Sequence, residues 1–124
     1  MSQFTGQKCI SIETYRKTGN PVRTPVWFVE ENGEFFVRTD SDTGKIKRIR
    51  NNPRVRIAPC NMRGSIKGTW VDGKARTIDA ETSEQIFSLL RKKYGTVYRI
   101  VRLAQRFSRG KAHPIGLAIR ISSA

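Results

Sequence analysis

A mainly β fold with small helices, closed as an antiparallel β-barrel, is what the sequence predicts. Three observations predict it. Short runs rich in β-branched and aromatic residues fill the first two-thirds of the chain, turn chemistry separates them, and helix-period patterns are confined to one brief segment and one later stretch. Many short strands leave exposed edges unless the sheet closes on itself.

The run CISIETY, residues 9–15, alternates and is followed by Lys17-Thr18-Gly19-Asn20-Pro21, a turn sequence. A second run, residues 22–29, carries Val22, Val26, Trp27, Phe28 and Val29; Pro25 within it marks an edge strand or a bulge. Asn32-Gly33 suits the positive φ of a hairpin turn, and Phe35, Phe36 and Val37 follow on a third strand. These three strands are expected to form a meander. After a polar segment, residues 39–44, Ile46 and Ile49 stand three apart on a short helix that Asn51-Asn52-Pro53 ends. Arg54, Val55, Arg56 and Ile57 open a fourth strand, and the run 70–76 gives another with a possible Asp72-Gly73 turn or bulge. Thr82 or Ser83 is expected to cap a helix holding Ile86, Phe87, Leu89 and Leu90 that Gly95 ends. A second helical pattern carries Val97, Ile100, Val101, Leu103, Ala104 and Phe107, with Arg99, Arg102, Arg106 and Arg109 on its polar side. Residues 113–121 close the chain as a strand.

With 124 residues the chain fits one domain, spanning residues 1–124, and 37% hydrophobic against 27% charged residues is a globular composition. Cys9 and Cys60 lie far apart in sequence and His113 is the lone histidine, so neither a zinc site nor a Cys/His catalytic pair is expected. No apolar run has the roughly 18 residues of a membrane span, and the start lacks a secretory pattern, so the expected location is the cytoplasm. Charge is the extreme feature: 24 Lys and Arg against 10 Asp and Glu leave +14, which calls for an anionic partner.

The segment from Phe36 to Arg50 is the most informative. A helix start offers unpaired N–H groups and the positive end of the macrodipole, and here hydroxyls of Thr39, Ser41 or Thr43 stand before Lys45 and Arg48. Lys45 and Arg48, three apart, share a helical face and can close on one anion. Asp40 and Asp42 sit awkwardly beside such a site. The same spacing also suits a capped helix with a solvated basic face, and spacing leaves the two readings tied. Trp27 and Phe28 beside Pro25 could face a planar ring system or simply pack. With no acid–base pair in sight, an enzyme built on this chain would need a bound cofactor for the hard step.

The stretches TYRKTGNPVRTPVWFV, TDSDTGKIKRIRNNPRVRIAPC and RGSIKGTWVDGKARTID resemble the pyridoxamine 5′-phosphate oxidase-like split-barrel family of flavin and deazaflavin proteins, and within it the small F420-dependent oxidoreductases. Lys45 followed by Asn52-Pro53-Arg54-Val55, and Gly19 to Trp27 as G-x-P-x-x-x-P-V-W, carry most of the likeness. The resemblance implies a homodimeric split barrel with the cofactor in a groove between subunits. It implies Lys45 as the main phosphate ligand, with Lys47, Arg48, Thr39 and Ser41 around it, and Pro25, Val26 and Trp27 along the ring system. Arg56 and Lys67 are secondary candidates for an anionic tail.

F420 is the first cofactor choice, because its phosphodiester and polyglutamate tail suit the positive charge, and FMN is the second. Haem is disfavoured with a single histidine to ligate iron. The implied reaction is hydride transfer between F420 or FMN and an electron-poor small organic substrate, and no catalytic side chain is assigned. Two other readings stand beside it: a basic barrel that binds nucleic acid through residues such as Lys45, Arg48, Arg54, Arg56 and Arg63, and a protein that holds a flavin or F420 without turnover.

Overall fold

In the computed structural model the described residues are 3–40, 44–109 and 114–122. Seven strands and two helices follow one another: β1 (Cys9–Tyr15), β2 (Pro21–Trp27), β3 (Val29–Glu31), β4 (Glu34–Asp40), α1 (Gly44–Asn51), β5 (Arg54–Cys60), β6 (Val71–Ile78), α2 (Ala80–Arg109) and β7 (Pro114–Ile121). The strands form one antiparallel sheet in the order β2-β1-β5-β6-β7-β4-β3.

This order proves that the sheet curls. β2 and β3 are its two ends, yet Phe28 alone separates them in the chain. A flat seven-stranded sheet would hold its edges roughly 29 Å apart at the usual strand spacing, whereas two residues of chain reach about 7 Å. The expected three-strand meander is therefore replaced by two hairpins, β1–β2 and β3–β4, at opposite ends of the ladder. The apolar run 22–29 gave no sign of this break, because Phe28 reads as a strand residue and instead turns into the core at 1% exposure.

Inward residues alternate along each strand: Ile10 and Ile12 on β1, Phe35 and Val37 on β4, Val55 and Ile57 on β5, Leu117 and Ile119 on β7. One rim of the barrel is stopped by Ile46 and Ile49 of α1, and the other by Phe4, whose ring meets Phe35 edge-on at 4.8 Å. Fully burying each such isoleucine is worth about 2 kcal/mol, so α1 is held by packing rather than by its own short length.

Asn32 (φ 52°) and Gly33 (φ 81°) make the expected positive-φ turn between β3 and β4. Asp72-Gly73 is no turn: both lie within β6, where Gly73 lets the backbone pass the Arg120 carbonyl, 2.8 Å from where a Cβ would stand. The cap of α2 is Asp79 and not Thr82 or Ser83, since Thr82 N–H donates to Asp79 Oδ1 at 2.7 Å. Gly95 breaks the helix as expected: its backbone (φ 59°, ψ −131°) is not helical, and the second helical stretch runs on from it to Arg109. The first half of α2 lies outside the barrel, where Ile86, Phe87 and Leu90 cover Val29 and Phe36. No helix among the described residues is long and apolar enough to cross a membrane. Ser41, Asp42, Thr43 and His113 lie outside the described residues.

Candidate functional site

At the rim where β4 passes into α1, several cationic side chains gather. Thr39 is half-buried on β4; five residues later α1 begins with Gly44, and no acidic residue lies in its first turn. Lys45 is buried at 8% exposure, Lys47 points to solvent, and Arg48 is half-buried. Arg48 Nε donates to Thr14 Oγ1 on β1 at 2.7 Å. Its guanidinium folds back over Gly44, where an added Cβ would lie 2.8 Å from Nη1. Burial, and then the charge of Arg16, pull Arg48 below the usual guanidinium range. A partly desolvated arginine held by a hydroxyl and beside a second arginine is poised for an anion.

The other half of the predicted site lies elsewhere. Pro25, Val26 and Trp27 sit opposite Ser11, Ile10 and Cys9 on β1, while Thr14, the partner of Arg48, lies three residues beyond Ser11 and five beyond Cys9, about 10 and about 17 Å away. Pro25 is on a strand that ends the ladder, as its missing N–H required. Val26 is partly buried and packs against the barrel core. Trp27 stacks one face on Tyr94 of α2, with centroids 4.6 Å apart and planes within 9°. Thr39, Lys45, Lys47 and Arg48 are thus gathered at one rim, and Trp27 belongs to the opposite one. Two open clefts of about 480 Å³ flank α2, one against Phe4, Phe28 and Lys93, the other against Phe36 and Ile86, and neither includes these residues.

Three features went unrecognised in the sequence. Thr14 and Arg16 at the Arg48 site sit in a stretch that read only as strand and turn. Glu13, 1% exposed, accepts from Arg23 Nε and Arg56 Nε at 2.7 Å each and from the Tyr15 hydroxyl at 2.7 Å. Burial pushes the Glu13 carboxyl up, but bonds from Arg56, Tyr15 and Arg23 outweigh it and hold it at about 2. Trp70 lies under both arginines, with their guanidinium carbons 4.9 and 5.2 Å from its ring. These charges come from three adjacent strands in one cross-strand row, so only the register brings them together. Third, the Tyr94 hydroxyl accepts Phe28 N–H at 3.0 Å and lies within 2.6 Å of the Lys8 carbonyl, and Lys93 Nζ donates to the Phe28 carbonyl at 2.7 Å. Together they fasten the residue at which the sheet closes.

The family model described as "Pyridoxamine 5′-phosphate oxidase" matches residues 1–121. The chain belongs to the pyridoxamine 5′-phosphate oxidase family. Its seven-stranded antiparallel sheet with two helices is consistent with the split barrel of that family. No curated protein matches the chain. Among solved structures it is similar to the haem storage protein HutZ of Vibrio cholerae (17% identity, 96% of this chain and 84% of that one, TM-score 0.70). It is also similar to an FAD-binding protein of Mesorhizobium loti (15%, 97% and 83%, TM-score 0.65), and to an F420 reductase (12%, 94% and 88%, TM-score 0.58). At these identities the likenesses show the shared fold.

Proposed function

We propose that this pyridoxamine 5′-phosphate oxidase family member is a flavin-type oxidoreductase, taking F420 or FMN and an electron-poor small organic substrate. The observation that carries this reading is Arg48: half-buried, bonded to Thr14 Oγ1, beside Arg16, and folded from the last turn of α1 back over Gly44, at a helix start with no acidic residue in its first turn. That donor set fits a phosphate. Lys45 and Arg48 bind it, Lys47 adds charge from the solvent side, and Thr39 and Ser41 contribute hydroxyl or backbone donors. Pro25, Val26 and Trp27 line the ring system.

Family membership and the likeness to an FAD-binding protein and an F420 reductase support a flavin-type cofactor, and the net charge of +14 favours the more anionic F420. The bound cofactor supplies two-electron hydride chemistry. The chain's own part is to bind the phosphate, orient the rings and keep water from the reacting face. Because the phosphate rim and Trp27 stand about 17 Å apart on one barrel, the reading includes a homodimer in which the cofactor lies in a groove between subunits and each chain supplies one part of the wall.

Titration of the cofactor-free protein with F420 and with FMN, beside Lys45→Ala, tests the reading. At least tenfold weaker binding of the preferred cofactor by the variant supports it. Equal affinity overturns the site, and binding of neither cofactor overturns the function.

A further inference from the structure

Cys9 and Cys60, 51 residues apart in the sequence, are direct register partners on the antiparallel strands β1 and β5. Both point outward, since the neighbouring Ile10 and Ile57 point into the core. Both are free thiols, 3% and 2% exposed. Directly opposed antiparallel residues have Cα atoms about 4.5–5.5 Å apart, inside the roughly 4.4–6.8 Å that a disulfide spans.

A third sulfur lies against Cys9. Cys9 Sγ lies 3.1 Å from Met62 Sδ, and Met62 is 61% exposed on the turn that follows β5. A flexible thioether side chain, itself largely in solvent, thus lies directly against the Cys9 thiol. Lysines face both sulfurs, Lys93 from α2 toward Cys9 and Lys67 from the loop toward Cys60; burial raises both thiols, Cys60 to about 11, and each lysine opposes it.

We propose that Cys9 and Cys60 form a reversible cross-strand dithiol that a peroxide oxidises to an intrachain disulfide, with Met62 as its lid. One thiolate attacks the O–O bond of the peroxide, giving a sulfenic acid, and the released hydroxide takes up the thiol proton as water. The second thiol attacks that sulfur, the S–S bond forms, the S–O bond breaks, and the departing hydroxide leaves as water with the second proton. Two thiols lose two hydrogens, and the peroxide becomes two waters. The new bond lies in the same cross-strand row as Trp27, which is opposite Cys9 on the other side of β1.

The test treats reduced full-length protein with hydrogen peroxide, then counts thiols after denaturation and maps cross-linked peptides. The proposal expects both thiols to disappear together, the Cys9 and Cys60 peptides to be joined within one chain, and dithiothreitol to restore both. Cys9→Ser and Cys60→Ser each abolish the cross-link, and Met62→Ala speeds thiol loss several-fold. Retention of both thiols, addition of oxygen without a cross-link, or a chain-to-chain disulfide overturns the proposal. An unchanged rate in Met62→Ala overturns the lid.

Discussion

Arg48 on α1 is tied to Thr14 on β1 by a 2.7 Å bond from Nε to Oγ1, so the barrel's first strand fixes the guanidinium that folds over Gly44. The bond uses Nε and, among the described residues, leaves the two terminal amino groups of the fork, which is the arrangement a phosphate needs.

Thr14→Val keeps the shape of the residue and removes the acceptor. Arg48 loses its fixed orientation, and binding of the phosphorylated cofactor is expected to weaken about fivefold, roughly 1 kcal/mol. Fluorescence titration measures it, and thermal unfolding of the free protein is expected to shift little.

Gly44→Ala puts a methyl group 2.8 Å from Arg48 Nη1, and the flexible guanidinium must move aside. Gly44 is the first residue of α1, where alanine's advantage over glycine in a helix interior does not apply in full, so stability is expected to change little while cofactor affinity falls. Parallel losses in both would contradict this assignment of Gly44.

Glu13 titrates at about 2 in the folded chain against an ordinary 4.5. A depressed carboxylate stabilises the fold fully above its unfolded value, and the contribution fades as pH falls from 4.5 toward 2. The full span is on the order of 3 kcal/mol. Urea unfolding at a series of pH values is expected to show this acid limb in the wild type and to show it flattened in Glu13→Gln. Glu13→Gln also loses about 2 kcal/mol at neutral pH; the half-exposed Arg23 rehydrates readily, which keeps the loss below that of a wholly buried pair.

Tyr94→Phe preserves the stack on Trp27 and removes the hydroxyl that meets Phe28 N–H and the Lys8 carbonyl. The loss is expected to be about 1–3 kcal/mol, that of a buried backbone donor left unpaired. Chemical unfolding measures it, and an unchanged midpoint would show that the seam at Phe28 is held by packing alone.

Local chemistry was legible in the sequence, and long-range register was not. Asn32-Gly33 declared its turn because the backbone there requires positive φ, and Ile46 with Ile49 declared α1 because burial at one rim requires that spacing. The break at Phe28 was hidden, since an apolar residue between two strands looks the same whether the chain runs on or crosses to the far end of a barrel. The cationic side of the candidate site could be read from Lys45, Lys47 and Arg48. Its support by Thr14 could not, because β1 and α1 meet only through the closed sheet. For the same reason Cys9 and Cys60, remote in sequence, gave no sign of being opposite one another.

The position of a cofactor's phosphorus tests the central claim most directly. A crystal structure with F420 or FMN bound is expected to place it within hydrogen-bonding reach of Lys45 or Arg48 at the first turn of α1. A phosphorus atom held elsewhere, with Arg48 still engaged by Thr14 alone, would contradict the account.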